Sequence, residues 1–258
     1  MIDNKKVILI TGGASGLGKV IFERLASKGY IVYRTSRGKS SVQVNSGNAL
    51  ELDITSNASC RDAISTIIER EKRLDVIINN AGITLSGPTL DFSDDDFKKI
   101  LDTNVIGPFR LIKEVFQYPS KPQLIINITS LIGFLSLPNF GLYSASKFSI
   151  EALGLALRNE LAPTTKVINL AVGALVSGPS RTMPHKPARE KFFILNWLLP
   201  LTSPEVVAIS IEKFIDGSSV PPRLLIGRDA HMVNLLQKLV PLSFLDKVLS
   251  LEASLQNS

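Results

Sequence analysis

A tyrosine and a lysine four positions apart form the pair in this chain best suited to proton transfer. On a helix, Tyr143 and Lys147 lie one turn apart on the same face, so the ammonium stands beside the phenol. A phenol has an unperturbed pKa of about 10 and is a poor base near neutral pH. A neighbouring cation favours the phenolate and lowers the phenol pKa, which suits general acid–base chemistry. The spacing alone is common, however, and an exposed helical turn explains it as well.

Two other stretches carry groups that would complete such a site. Ser130 follows an apolar run over residues 124–128, and a glycine-rich turn occupies residues 11–18. That turn comes after the apolar run 6–11 and before a helical pattern that stops at Gly29. Amides at the start of a helix bind a pyrophosphate, and glycines let the backbone approach it closely. The glycine spacing, G-x-x-x-G-x-G, therefore predicts a nucleotide-binding turn.

The second predicted strand, residues 31–35, ends in a serine and an arginine. Many NAD-binding units place an acidic residue here, which accepts a hydrogen bond from the ribose 2′-hydroxyl. This chain has Ser36 followed by Arg37, a pair that suits a 2′-phosphate instead. We therefore predict a preference for NADP(H), with NAD(H) as the alternative.

Strands and helices alternate along the chain. The strand segments are mostly continuous apolar runs, as expected for strands buried on both faces of a parallel sheet. This pattern predicts a single-domain α/β fold over residues 1–258: a Rossmann-type doubly wound parallel sheet of about seven strands, with helices on both faces. The later predicted strands are residues 49–53, 75–79, 123–128, 166–171 and 223–226, and the predicted helices include residues 57–72, 104–118 and 142–161.

In such sheets, ligands bind beyond the carboxyl ends of the strands. The polar and glycine-rich positions of this chain fall at predicted strand ends and would share that edge. They are the turn 11–18, Ser36 with Arg37, Asp53, residues 79–82, Ser130, and Val172 with Gly173. We therefore expect one site rather than several.

Composition narrows the class of protein and of partner. Hydrophobic residues make up 45% of the 258 residues and charged residues 20%, which is typical of a globular chain. The net charge of +6 suits an anionic ligand or surface, but the chain has no Lys/Arg cluster with interleaved aromatics and no zinc-ligand spacing. Neither nucleic acid nor a metal is therefore expected. One cysteine, Cys60, excludes an intramolecular disulfide, and the lack of a secretory signal or of a membrane-length apolar tract predicts a cytoplasmic location without a transmembrane segment.

With these residues in place, the chain resembles the short-chain dehydrogenase/reductase family over roughly residues 5–226. The matching positions are Thr11, Gly12, Gly16, Leu17, Gly18, Asp53, Asn79, Asn80, Ala81, Gly82, Asn104, Ser130, Tyr143 and Lys147. The resemblance implies hydride transfer between a nicotinamide and a carbonyl or alcohol carbon. Tyr143 would be the general acid or base, Ser130 would hydrogen-bond the substrate oxygen, and Lys147 would bond the nicotinamide ribose and lower the phenol pKa. Asn104 would hold a water that relays protons from Lys147; a side chain at a helix kink is the alternative.

The resemblance also implies which residues line the cofactor. Those expected along the diphosphate are Gly12, Ser15, Gly16, Leu17 and Gly18; those near the adenosine are Asp53, Ile54, Asn80, Ala81 and Gly82; and those toward the nicotinamide, besides Tyr143 and Lys147, are Val172, Gly173, Leu175 and Ser177. Ser36 and Arg37 look like the NADP-preferring form of the second strand's end. Two positions depart from the family pattern: Val172 stands where proline is usual, which is expected to loosen the turn, and Ser177 replaces a threonine but keeps the hydroxyl.

The last third of the chain gives predictions about the substrate and about partners of the protein. Residues 174–203 correspond to the family's substrate lid and carry large apolar side chains, which implies either a lipophilic substrate or packing of the lid on the core. A helical extension over about residues 229–258 has apolar stripes that would pack on the core or another subunit, with peripheral membrane contact as the alternative. In placement and hydrophobicity it is similar to hydroxysteroid- and retinol-dehydrogenase-type members. Family members often associate through two long helices, here residues 104–118 and 142–161, so a homodimer or homotetramer is expected.

The sequence therefore predicts an NADP(H)-dependent oxidoreductase that interconverts a carbonyl and a primary or secondary alcohol on a small lipophilic substrate, with Tyr143 as general acid–base. A 3-oxoacyl-carrier reductase is an alternative within the same chemistry, because basic residues could dock an acidic carrier. A cofactor-sensing protein without catalysis is a further alternative, but such proteins often lack the tyrosine or lysine that this chain retains.

Overall fold

Seven parallel strands form the centre of the molecule. They are β1 (Val7–Ile10), β2 (Ile31–Ser36), β3 (Ala49–Glu51), β4 (Val76–Asn79), β5 (Leu124–Ser130), β6 (Lys166–Val172) and β7 (Arg223–Ile226). A computed structural model describes residues 5–38, 48–176, 201–217 and 219–239, and within them the strand order is β3-β2-β1-β4-β5-β6-β7. The order reverses direction between β1 and β4, which is where nucleotides bind in sheets of this kind. The predicted fold class is confirmed.

Helices cover both faces of the sheet. They are α1 (Gly16–Ser27), α2 (Asn57–Glu71), α3 (Asp94–Leu101), α4 (Gly107–Val115), α5 (Gly141–Glu160), α6 (Pro204–Ile215) and α7 (Arg228–Leu239). On one face α1 and α6 pack against Ile8, Ile10 and Ile78. On the other face α2 and α4 pack against Leu9 and Ile77, and α5 packs beside α4. Because successive side chains of one strand are buried on opposite faces, the strands have nearly continuous apolar sequences.

The helix expected to begin at Asn104 is the continuation of an earlier one. Ser93 and Asp96 form a capping box that starts α3. A π-helical turn, Asp102–Ile106, then joins α3 to α4. The Asn104 side chain bonds both the amide and the carbonyl of Ile83 (2.8 and 2.9 Å), which ties the π turn to the segment after β4. Turns of this type are frequent at functional sites, because they re-aim a side chain within a helix.

Three asparagines lie side by side across the buried sheet, and we call them the asparagine ladder. Asn79 pairs in register with Asn127, and Asn127 with Asn169. The Asn79 Nδ2 donates to Asn127 Oδ1 (2.9 Å), and the Asn127 Nδ2 donates to Asn169 Oδ1 (3.0 Å). Gly154 of α5 covers the ladder, since a Cβ there would lie only 2.1 Å from Asn169 Oδ1. Glycine at position 154 therefore lets α5 approach the sheet closely.

Part of the predicted C-terminal helical extension, residues 229–258, lies among the described residues. Helix α7, Arg228–Leu239, covers the first part of that extension. The rest of the extension, residues 240–258, and most of the predicted lid, residues 177–200, lie outside the described residues. Among the residues that the structure describes, no helix has both the length and the apolar character needed to cross a membrane.

Candidate active site

The predicted acid–base pair lies on α5 against the end of β5. The Lys147 Nζ is 5.7 Å from the centre of the Tyr143 ring and donates to the Ile128 carbonyl oxygen of β5 (3.1 Å). Lys147 is 9% exposed, so its charge is largely shielded from water. The four-residue separation places Tyr143 and Lys147 one turn apart on α5. The hydrogen bond to the Ile128 carbonyl directs the lysine side chain toward β5. A buried cation beside a phenol is the arrangement that proton transfer at the tyrosine requires.

Ser130 lies at the same end of β5. Its Oγ accepts a hydrogen bond from the Ile132 amide (3.3 Å) and caps a short 3₁₀ turn, Leu131–Gly133. That turn rests on α5, because a Cβ on Gly133 would come within 3.1 Å of the Lys147 carbonyl oxygen. The structure therefore brings Ser130, Tyr143 and Lys147 to one edge of the sheet.

Asn104, the fourth predicted member of this group, is engaged with protein partners. Its Nδ2 donates to the Ile83 carbonyl and to Ser146 Oγ (2.9 and 3.0 Å), and its Oδ1 accepts from the Ile83 amide (2.8 Å). Ser146 in turn donates to the Tyr143 carbonyl (2.8 Å). Both amide hydrogens are in use, so the side chain links the π turn to α5 directly. A water relay at this residue would have to use an oxygen acceptor of Asn104.

The glycine turn at the end of β1 has the shape of a phosphate cradle. Gly12 and Gly16 have positive φ values (+66° and +52°), which residues with a side chain rarely adopt. At Gly18 a Cβ would lie 2.3 Å from the Gly12 carbonyl oxygen, so only glycine fits. Ser15 precedes α1 without making a capping bond through its hydroxyl, and the first turn of α1 has no acidic residue. With Leu17, these residues fit an anionic diphosphate, because the amides at the start of α1 are offered to an anion.

Thr11 and Asn80 fasten this turn to the end of β4. The Thr11 Oγ1 accepts from the amides of Asn80 and Ala81 (both 2.9 Å). The Asn80 Nδ2 donates to the Thr11 and Gly12 carbonyls (2.9 and 3.3 Å). Asn80 therefore shapes the turn, and its predicted contact with the ribose, like those of Ala81 and Gly82, stays a prediction.

Asp53 lies beyond β3, beside the end of β2. Its Oδ1 accepts from the amide and the hydroxyl of Thr55 (2.9 and 2.7 Å), and these bonds are the main reason why the pKa of the Asp53 carboxyl is below its usual value. Partial burial opposes this effect, while the nearby charges of Arg37 and Arg110 add to it. Arg37 is exposed and close enough to influence Asp53, so these two predicted residues lie near each other.

Arg110 of α4 makes contacts that the sequence pattern did not predict. Its guanidinium donates to the Ile54 carbonyl (2.7 Å), to Asn57 Oδ1 (2.6 Å) and to Asp102 Oδ1 (2.9 Å). It thus joins the Asp53–Ile54 segment to the π turn. No local spacing marks this arginine, because two of its partners, Ile54 and Asn57, are 56 and 53 residues away.

The turn after β6 is held by hydrogen bonds although it lacks proline. The Gly173 amide donates to the Ile226 carbonyl (2.8 Å), and the Ala174 amide donates to Asp229 Oδ2 (2.6 Å). Leu175 forms a bridge with Thr202. These contacts fix the turn that the missing proline was expected to loosen. Ser177, the last predicted cofactor residue, lies outside the described residues.

A family model described as short chain dehydrogenase matches residues 6–190, well over half of the chain. The chain belongs to the short-chain dehydrogenase family. The matched range contains the glycine turn, Ser130, Tyr143 and Lys147.

Two relatives of this short-chain dehydrogenase are named for the reduction of a keto group. It is 39% identical over 160 residues to the 3-ketodihydrosphingosine reductase of Bacteroides thetaiotaomicron, a match that covers 61% of this chain and 59% of the relative's length. It is 32% identical over 187 residues to a putative ketoacyl reductase of the monensin polyketide synthase of Streptomyces virginiae, covering 67% of this chain and 72% of that protein. The chain is thus similar to oxidoreductases of its family.

Solved structures share the fold over most of this short-chain dehydrogenase. A short-chain dehydrogenase from Streptomyces avermitilis superposes with a TM-score of 0.80 at 27% identity, covering 96% of this chain and 98% of the other. The ElxO protein with NADP bound superposes with a TM-score of 0.74 at 26% identity, covering 86% and 97%. Both structures cover a larger share of the chain than the family model does.

Proposed function

We propose that this short-chain dehydrogenase is an NADP(H)-dependent oxidoreductase that interconverts a lipophilic ketone and its alcohol. The observation that carries the proposal is the buried Lys147 ammonium, held between the Tyr143 ring and the end of β5 that carries Ser130. These groups occupy the sheet edge onto which the glycine turn also opens. The named reactions of its relatives support the same chemistry.

Each side chain has a distinct task in this proposal. The nicotinamide, when bound, supplies the hydride that is added to the carbonyl carbon. Tyr143 donates its hydroxyl proton to the carbonyl oxygen, so that the alcohol leaves neutral, and it accepts the proton in the reverse reaction. Ser130 donates a hydrogen bond to the same oxygen and holds it near the phenol. Lys147 stabilises the phenolate that remains and passes a proton back to it. A water that donates a hydrogen bond to an oxygen of Asn104 would then return a proton to Lys147.

The cofactor preference rests on Arg37 together with Ser36. An exposed guanidinium beside the end of β2 suits a 2′-phosphate. The structural neighbour ElxO, which was solved with NADP, supports this preference. NADP(H) is therefore proposed as the main cofactor, with NAD(H) as the weaker one.

A long hydrocarbon chain fits the surroundings of Tyr143. Leu85 and Phe92, from the segment after β4, pack with Tyr143 in one apolar cluster. Leu90, in the same segment, is 97% exposed, so a large apolar side chain faces water there. The similarity to a 3-ketodihydrosphingosine reductase, whose named substrate is a long-chain ketone, favours this substrate class over small polar ketones.

A 3-oxoacyl-carrier reductase is the second candidate. The similarity to a ketoacyl reductase of a polyketide synthase supports it, and the net charge of +6 suits docking of an acidic carrier.

Purified protein should be assayed for NADPH oxidation with 3-ketodihydrosphingosine, 3-oxoacyl thioesters, steroid ketones, retinal and short ketones. We expect the fastest turnover with the long-chain ketone and a loss of about 100-fold or more in Tyr143→Phe with unchanged NADPH binding. Full activity of Tyr143→Phe would refute the proposal, and a wild type that binds NADPH but reduces nothing would favour a cofactor-sensing protein.

A homodimer or homotetramer through α4 and α5 is also proposed. Phe109 of α4 and Phe148 of α5 are both exposed, as is Ile106 of the π turn, and another copy of the chain would cover them. Light scattering should give a multiple of the protomer mass for the wild type and the protomer mass for Phe109→Asp/Phe148→Asp. A monomeric wild type would contradict this. The cytoplasmic location expected from the sequence stays a prediction.

A further inference from the structure

A buried carboxylate lies one helical turn beyond the lysine of the proposed acid–base pair. Glu151 and Lys147 are four residues apart on α5 and share its buried face. The Glu151 side chain is only 3% exposed. Burying a carboxylate is costly unless it is both paired with a cation and hydrogen-bonded, so its partners indicate what it does.

Glu151 connects α5 to three neighbouring strands. Its Oε1 accepts a close hydrogen bond from the Thr129 hydroxyl of β5. Its Oε2 accepts from Asn169 Nδ2 of β6 (3.0 Å) and from Arg223 Nε of β7 (2.9 Å). The charge of Glu151 is thus balanced by Arg223, and the asparagine ladder ends on the same carboxylate. Both oxygens are satisfied, which leaves this carboxylate in a single orientation.

The hydrogen bond between Thr129 and Glu151 connects the carboxylate to the proposed active site. Thr129 is the residue immediately before Ser130, and Lys147 is bonded to Ile128 immediately before Thr129. The turn after Ser130 rests on the same part of α5, since a Cβ on Gly133 would lie 3.0 Å from Glu151 Cγ. Lys147 and Glu151 therefore hold consecutive residues of β5 against α5, just before the serine.

We propose that Glu151 is a positioning residue, which through the Thr129 hydroxyl holds Ser130 at the correct distance from Tyr143 and Lys147. The proposal rests on the proposed function in that it takes Ser130 to bind the substrate oxygen. A catalytic group must be placed to a fraction of an ångström, and an error of about 1 Å can cost about 100-fold in rate. Ser130 is the last residue of β5 and is followed by a turn, so a bond at the preceding residue limits how far it can move. The ion pair with Arg223 holds the Glu151 side chain in place.

The test separates the Thr129 hydroxyl from the rest of the network. Thr129→Val removes the donor and nearly keeps the shape, while Thr129→Ser keeps the donor. Thr165→Val is the matched control, because the Thr165 hydroxyl is equally buried and donates to the Pro122 carbonyl (2.7 Å) at the opposite end of the sheet. Each protein is assayed for NADPH oxidation with the ketone that the wild type reduces fastest, for NADPH affinity, and for amide hydrogen exchange of Ser130 and the turn Leu131–Gly133.

We expect Thr129→Val to lower kcat/KM for the ketone by about tenfold, without a change in NADPH affinity, and to speed exchange in the turn. Thr129→Ser should restore both, and Thr165→Val should lower the melting temperature while leaving kcat/KM and exchange in this turn unchanged. Equal rates and equal exchange in Thr129→Val and the wild type would overturn the proposal, as would an equal loss in Thr165→Val. If the wild type reduces no ketone, the proposed function fails; faster exchange in Thr129→Val alone would still support the contact, and unchanged exchange would refute it.

Discussion

Placing alanine at Gly154 should destabilise this protein, although the same change stabilises most helices. Gly154 lies in the interior of α5, where alanine is ordinarily preferred by about 1 kcal/mol. Here the new Cβ would lie 2.1 Å from Asn169 Oδ1 and 2.8 Å from Asn127 Nδ2, closer than real carbon atoms approach. Either α5 moves away from the sheet or the asparagine ladder breaks.

The size of the effect follows from these two costs. Overpacking a buried site costs about 1–3 kcal/mol. Leaving a buried amide of the ladder without its partner costs about 1–3 kcal/mol more. With the gain in helix propensity subtracted, we expect Gly154→Ala to lower the free energy of unfolding by about 1–5 kcal/mol. Because α5 also carries Tyr143 and Lys147, the activity should fall as well.

Urea denaturation followed by circular dichroism measures this change, and Ala156→Gly provides the matched control. Ala156 is exposed on the same helix, so its replacement should cost about 1 kcal/mol through helix propensity alone. Gly154→Ala should thus destabilise the protein although alanine favours a helix. The loss should exceed that caused by Ala156→Gly on the exposed face. A Gly154→Ala protein as stable as the wild type, or more stable, would refute the close packing of α5 on the ladder.

The remaining predictions concern the cofactor and the buried thiol. Gly18→Ala should weaken NADPH binding by about tenfold or more in calorimetry, because its Cβ would lie 2.3 Å from the Gly12 carbonyl oxygen; unchanged affinity would show that the turn is not the phosphate site. Arg37→Gln should lower the ratio of kcat/KM for NADPH to that for NADH by about 10- to 100-fold, the size of a lost charge-assisted bond, whereas the exposed Arg61→Gln should not change it. Burial raises the pKa of the Cys60 thiol from its usual 9.0 to about 11, so the folded protein keeps this proton where the unfolded chain has lost it. The contribution of Cys60 to stability should therefore decline as the pH rises from 9.0 to about 11, and the loss should be absent in Cys60→Ala; equal pH profiles for the two proteins would contradict the burial of the thiol.

Short stretches of the sequence determine several features of this protein. The apolar strand runs, the glycine turn and the four-residue spacing of Tyr143 and Lys147 depend only on local periodicity, which is why the fold class and the family could be predicted. The start of α3 was predictable for the same reason, because its capping box involves residues three apart.

Tertiary structure alone decided what surrounds these groups. The π turn at Asn104, the hold of Arg110 on Ile54, and the bond of Asp229 to Ala174 join residues that are distant in the chain. Glu151 gave no signal in the sequence beyond its place on the face of α5 that also carries Lys147, because its partners lie on three different strands. Such bonds depend on the register of the sheet and on how closely a helix approaches it, and neither quantity is encoded in the spacing of neighbouring residues.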